Sequence, residues 1–147
     1  MGLFGFGRRK YASVAVAGST TIRVSEPDGR ATTIDIALVK WLSFLQVGDE
    51  TTNVYEAWWL LGWRDVGIAV LAECGTIDLL LRDAAFADLI DRIDDKTLIF
   101  TATRPSKLDG SAAKHGVVHL NADEVVALRH SGSHERVRSV NDFPRIL

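Results

Sequence analysis

Apolar and polar positions alternate along the first quarter of this 147-residue chain with the two-residue period of strands. Residues 11–17 alternate small apolar side chains, residues 20–25 place Ile22 and Val24 on one face, and residues 30–36 place Ile34 and Ile36 in phase. Three successive strands are predicted. Between the second and third, Pro27-Asp28-Gly29 supplies a pre-set φ, a side-chain acceptor and a residue tolerant of positive φ, which together specify a hairpin. The spacing then changes: Leu38, Trp41, Leu42 and Leu45 fall at i, i+3, i+4 and i+7, which predicts a helix over 37–46.

Residues 54–63, Val-Tyr-Glu-Ala-Trp-Trp-Leu-Leu-Gly-Trp, hold three of the four tryptophans and have no polar face. Read as a helix, Tyr55, Trp59 and Trp63 form one stripe, while Val54, Trp58 and Leu61 form another. Read as a strand, Trp58 and Leu60 face one way, and Trp59, Leu61 and Trp63 face the other. Both readings require cover on two sides. Further on, 66–73 and 76–82 read as strands joined at Cys74-Gly75, and 83–94 reads as a helix capped by Asp83 with Phe86, Leu89, Ile90 and Ile93 inward. A strand over 97–104 and a loop over 105–116 follow.

The last third admits two readings. Asn121-Ala122-Asp123-Glu124 can open a capped helix that ends near Gly132. Alternatively, 117–120, 124–129 and 135–140 are short strands turning at 121–123 and 131–133, and the turn-forming residues beside Val126, Leu128, Val137 and Val140 favour this version. The expected architecture is an α+β fold: a single compact domain over 11–147 with a mainly antiparallel β-sheet of about six strands and two or three packed helices. Residues 1–10 are expected to be a flexible basic tail.

Composition narrows the function classes. With 47% hydrophobic and 24% charged residues the chain is an ordinary globular one, and a lone Cys74 makes no internal disulfide. No apolar stretch reaches the length of a membrane span, and the start lacks the order of a signal peptide. A cytoplasmic location of bacterial type is expected. The net charge of −2 hides a division. Residues 1–25 carry four basic and no acidic side chains, 26–95 carry five basic and fourteen acidic, and 96–147 carry eight basic and five acidic. Opposite blocks in so small a chain are expected to meet within the fold.

Candidate chemistry is sparse. His115-x3-His119 and His130-x3-His134 have metal-like spacing on a helix, but Gly116 with a β-branched pair, and Ser131-Gly132-Ser133, favour extension and a turn, so no metal ligands are assigned. No serine stands in a nucleophile-elbow context, and Cys74 ends an apolar strand, where thiols are usually inert. Asp88, Asp91, Asp94 and Asp95 read as a solvated helix face, leaving Asp35, Asp65 and Glu73 as the carboxylates of interest. Gly2, Gly5 and Gly7 fit no phosphate cradle, and Arg129, Arg136, Arg138 and Arg145 lack the aromatic interleaving of a nucleic-acid surface.

No catalytic residue or cofactor is therefore assigned. The expectation is a non-catalytic interaction or accessory protein, a subunit of a larger complex or a toxin-neutralising partner, binding a protein partner or a second copy through Trp58, Trp59 and Trp63. The rivals are a small enzyme or ligand-binding protein with Asp65, Glu73 or Cys74 in a pocket, and an adaptor touching an anionic membrane surface or nucleic acid through Arg8, Arg9, Lys10 and the C-terminal arginines.

Overall fold

The first hairpin forms where its turn chemistry demands. The structure, a computed structural model, describes residues 13–49, 53–63, 66–72, 84–109 and 116–139. Strands β1 (Ser13–Val16), β2 (Thr21–Ser25) and β3 (Ala31–Asp35) make an antiparallel three-stranded sheet. At its second turn Gly29 takes φ +98°, its N–H donates to the Glu26 carbonyl at 3.0 Å, and Asp28 Oδ1 accepts from Arg30 N–H at 3.0 Å. These are the roles the Pro-Asp-Gly sequence predicts.

Beyond β3 the predicted helix over 37–46 is corrected. Only Ile36–Leu38 coils, as a short 3-10 turn capped by the Asp35 carboxylate on Ala37 N–H, and the chain then extends into β4 (Trp41–Asp49). Every residue from 41 to 47 is buried, Ser43 and Gln46 included, so the helical spacing was a subset of a continuously buried run. A strand sandwiched between two layers needs such a run.

Strands β5 (Asn53–Gly62) and β6 (Gly67–Ala72) follow, then helix α1 (Ala84–Asp91), β7 (Asp95–Thr101), β8 (Val117–Leu120), helix α2 (Ala122–Arg129) and β9 (Ser133–Arg136). The second sheet has the order β8-β6-β5-β4-β7-β9 and is antiparallel except for β4–β7. That parallel pair requires a long crossover, made here by the chain from β5 to α1. The fold is α+β and mainly antiparallel, with its strands divided between two sheets.

The large sheet lies between two apolar layers. Leu42, Phe44, Trp59, Leu61, Ile68 and Val70 pack against Ile22, Val24 and Ile34 of the small sheet and against Phe86 and Ile90 of α1. Trp41, Leu45, Trp58, Leu60 and Ile99 face the other way, toward Leu108 and toward Val125 and Leu128 of α2. The strand reading of the Trp-rich segment assigned these faces correctly. The preference for a strand over 124–129 is corrected to helix: Asn121 Oδ1 accepts from Glu124 N–H and Glu124 Oε1 accepts from Asn121 N–H, a closed capping box. The last strand among the described residues is β9, which begins earlier and is shorter than 135–140. The segments 76–82 and 1–10, and the proposed Asp83 cap, lie outside the described residues.

Trp41 explains two glycines. A Cβ on Gly62 would stand 1.8 Å from Trp41 Cε2, and one on Gly67 would stand 2.7 Å from the Leu61 carbonyl oxygen and 3.0 Å from Trp41 Cζ2. The Arg129 guanidinium sits over the same ring, 4.7 Å from its centroid. Gly62→Ala should therefore lower stability by about 1–3 kcal/mol through overpacking. Urea unfolding followed by tryptophan fluorescence checks this, and an unchanged midpoint would contradict the packing.

Candidate functional site

A central strand that carries Glu56 among tryptophans must neutralise a carboxylate in an apolar layer. Glu56 is buried, and its Oε2 accepts from the Trp58 indole N–H at 2.8 Å and from Arg104 Nε–H at 2.7 Å. A second Arg104 nitrogen reaches Glu56 Oε1, and Arg104 also donates to Asp109 Oδ1 at 2.9 Å. These hydrogen bonds to Glu56, set against desolvation of the guanidinium, hold Arg104 even more firmly protonated than usual. Both carboxylate oxygens are occupied by fixed donors. The group acts as a clamp that ties the segment after β7 to β5.

Sequence reasoning missed this clamp. Its signal was available in the lone Glu between Tyr55 and Trp58, since a charge inside an apolar strand needs a partner, but nothing in the sequence pointed to Arg104, 48 residues later.

The other buried charge is also structural. Lys96 sits in β7 directly after α1, and its ammonium donates to the carbonyls of Asp91 (3.0 Å) and Ile93, serving the open end of the helix. Ser43 and Thr97 join hydroxyls across β4 and β7 at 2.6 Å. Gln46 is buried too, and its Oε1 has no hydrogen-bond partner among the described residues.

Two of the three candidate contact residues are enclosed. Trp58 is 0% exposed and Trp59 2%, with Phe44 stacked at a tilt 5.0 Å from Trp59, whereas Trp63 is half-buried at the margin of its layer. The indoles of Trp58 and Trp59 are core and present no face to a partner. The pocket residues Asp65, Glu73 and Cys74 lie outside the described residues, as do Arg8, Arg9, Lys10, His115 and Arg145. Asp35 is occupied as a cap. Asp95 left the helix face: it starts β7 and takes both its carboxylate contacts, at 2.7 Å, from Arg129.

Arg129 is thereby withdrawn from any basic surface, while Arg136 and Arg138 are exposed. His119 lies exposed on β8, and His130 and His134 stand together near β9 with ring centroids 6.2 Å apart. Among the described residues no group of three or more His, Cys, Asp or Glu side chains converges on one point. No helix among them is long and apolar enough to cross a membrane.

A shallow groove of about 380 Å³ runs between Pro105–Lys107 and α2, floored by Ala127 and Leu128. Two of its charged side chains are paired: Lys107 Nζ meets Glu124 Oε2 at 2.6 Å. The Asn121 backbone N–H, seconded by Lys107, holds the Glu124 carboxyl below the usual range.

Two outcomes follow from these contacts. Arg104→Met should cost about 3 kcal/mol, the low end for a broken buried pair because Arg104 keeps 29% of its side chain in water. Glu56→Gln should cost less, since an amide oxygen still accepts from Trp58. Equal losses in denaturant unfolding would contradict the clamp. For Glu124, a depressed folded-state pKa gives stability that is present above the unfolded value and lost as pH falls through the folded one. Glu124→Gln should therefore flatten the acid limb of a stability profile below about pH 4.5 and leave the slope above pH 6 unchanged.

Comparison with family profiles, with curated proteins and with solved structures finds no match to this chain.

Proposed function

We propose that this chain is a non-catalytic interaction or accessory protein of the cytoplasm that works by docking on another protein or on a second copy of itself. One observation carries the reading. Of the four large hydrophobic side chains exposed among the described residues, Val16 (41%), Leu38 (58%) and Val66 (46%) lie on segments that backbone hydrogen bonds tie to one another, and Val126 (59%) lies apart on α2. The Ile36 N–H bonds the Thr20 carbonyl at 2.9 Å, which sets the 3-10 turn of Leu38 beside the loop after Val16. Lys40 N–H bonds the Gly62 carbonyl at 2.7 Å and Trp63 N–H bonds Val66 at 3.0 Å, so the β5–β6 turn is tied to the same segments.

Half-buried Trp63 supplies the aromatic anchor that interfaces favour, with Trp59 buried on the same sheet face behind it. The buried charges support the same reading from the other side, because Glu56 and Lys96 are spent on internal contacts.

The test combines light scattering with recovery of bound proteins from a native lysate, for the wild type and for Leu38→Asp and Val66→Asp. Loss of one side-chain contact worth about 1.4 kcal/mol weakens association tenfold, so each variant should lose a self-association or a specific partner that the wild type keeps. A wild-type monomer without a stoichiometric partner, or binding indifferent to both substitutions, would overturn the reading.

A further inference from the structure

The turn between α2 and β9 brings together the two histidines of the His130-x3-His134 pair, to which the sequence assigned no metal. His130 caps the C-terminus of α2, and Gly132 takes φ +73° where a Cβ would stand 1.9 Å from the Phe100 carbonyl oxygen. Only glycine fits that reversal. The chain therefore turns back sharply into β9, where pairing of His134 with Ile99 fixes its register against β7. The two imidazoles end 6.2 Å apart between centroids, with planes at 74°.

We propose that His130 and His134 form a binding site for a divalent copper, nickel or zinc ion, with two imidazole nitrogens from the protein and water in the remaining positions. Three observations converge on it. Two imidazoles whose nitrogens lie about 2.1 Å from a shared metal place their centroids about 4.6–6.5 Å apart, depending on the angle at the ion. The observed 6.2 Å lies toward the wide end of that span, at an angle of about 145°, so ligation at a tetrahedral or cis-planar angle requires the two exposed rings to close by about 1 Å or more. The His130 ring is also pre-oriented: its Nδ1 is 2.8 Å from the Val126 carbonyl oxygen, which can only accept, so Nδ1 carries the hydrogen and Nε2 keeps its lone pair. Metal-bound histidines are commonly held in this way by the nitrogen opposite the ligating one.

Third, both rings are exposed and so accessible to an ion from solvent. The neighbouring cations are directed elsewhere, Arg129 to Asp95 and the Trp41 ring, and Arg136 to the Asp94 carbonyl at 3.3 Å. A pair of neutral nitrogen donors selects borderline ions over magnesium or calcium, which take oxygen. A bound ion would brace the end of α2 against the edge strand.

The experiment titrates the full chain with zinc and nickel by calorimetry and records the spectrum of bound copper by electron paramagnetic resonance. The wild type should bind one ion at this site with two nitrogen donors in the copper spectrum. His130→Gln and His134→Gln should each weaken binding at least tenfold and remove one nitrogen, while the double variant His115→Gln/His119→Gln keeps the wild-type affinity of the site. Because both target rings are exposed, the variants should retain the wild-type circular dichroism. Metal binding that survives His130→Gln/His134→Gln unchanged, or that disappears only with His115 and His119, would overturn the proposal.

Discussion

The large sheet has no face that can meet water, and the rest of the structure answers that constraint. Residues 41–47 of β4 and 56–62 of β5 are buried without interruption, so apolar side chains leave both sides of the same two strands. Fully burying one large apolar side chain contributes about 1.5–3 kcal/mol, and leaving either face open would forfeit several such terms at once. The small sheet with α1 covers one face. Helix α2 and the segment around Leu108 cover the other.

Enclosure on two sides makes every polar group in those strands a potential cost of about 1–3 kcal/mol unless it is paired. The pairing is local where the geometry allows and distant where it does not. Ser43 meets Thr97 on the adjacent strand, and Trp58 meets Glu56 two residues back. Glu56 then requires a cation, which arrives on Arg104 from the segment that also inserts Leu108 into the same layer. The opposite charges of the acidic middle and the basic last third meet again at Asp95 and Arg129, where the cation also lies over Trp41. Each covering element on that side is thus held by apolar contact and by an ion pair to the sheet.

Local signals made part of this legible in the sequence. The hairpin at Pro27-Asp28-Gly29 and the two faces of the Trp-rich strand follow from backbone preference and from a period of two, neither of which needs the rest of the fold. The segment 37–46 misled because its apolar side chains leave both faces of the strand and so fit a helical spacing as well, and only the two covering layers decide for extension. At 121–129 the capping box was visible, yet the exposed Val126 and the low amphipathicity of the segment disguised a helix that buries only Val125 and Leu128. The clamp at Glu56 and the approach of His130 to His134 depend on long-range pairing and on a glycine reversal, and spacing alone encodes neither.

The same constraint changes what a cluster of tryptophans means. Indoles that a sheet consumes on both faces are evidence for layers and not for a partner, so the informative side chains are the apolar ones the layers fail to reach. The sheet edge formed by β9 offers little to an incoming strand, because Ser133, His134, Glu135 and Arg136 are all exposed and three of them are ionisable, a composition that discourages strand addition. Association by edge pairing is thereby disfavoured at β9. Among the described residues, exposed large apolar side chains remain at Val16, Leu38 and Val66, where chains enter and leave the layers, and at Val126 on α2.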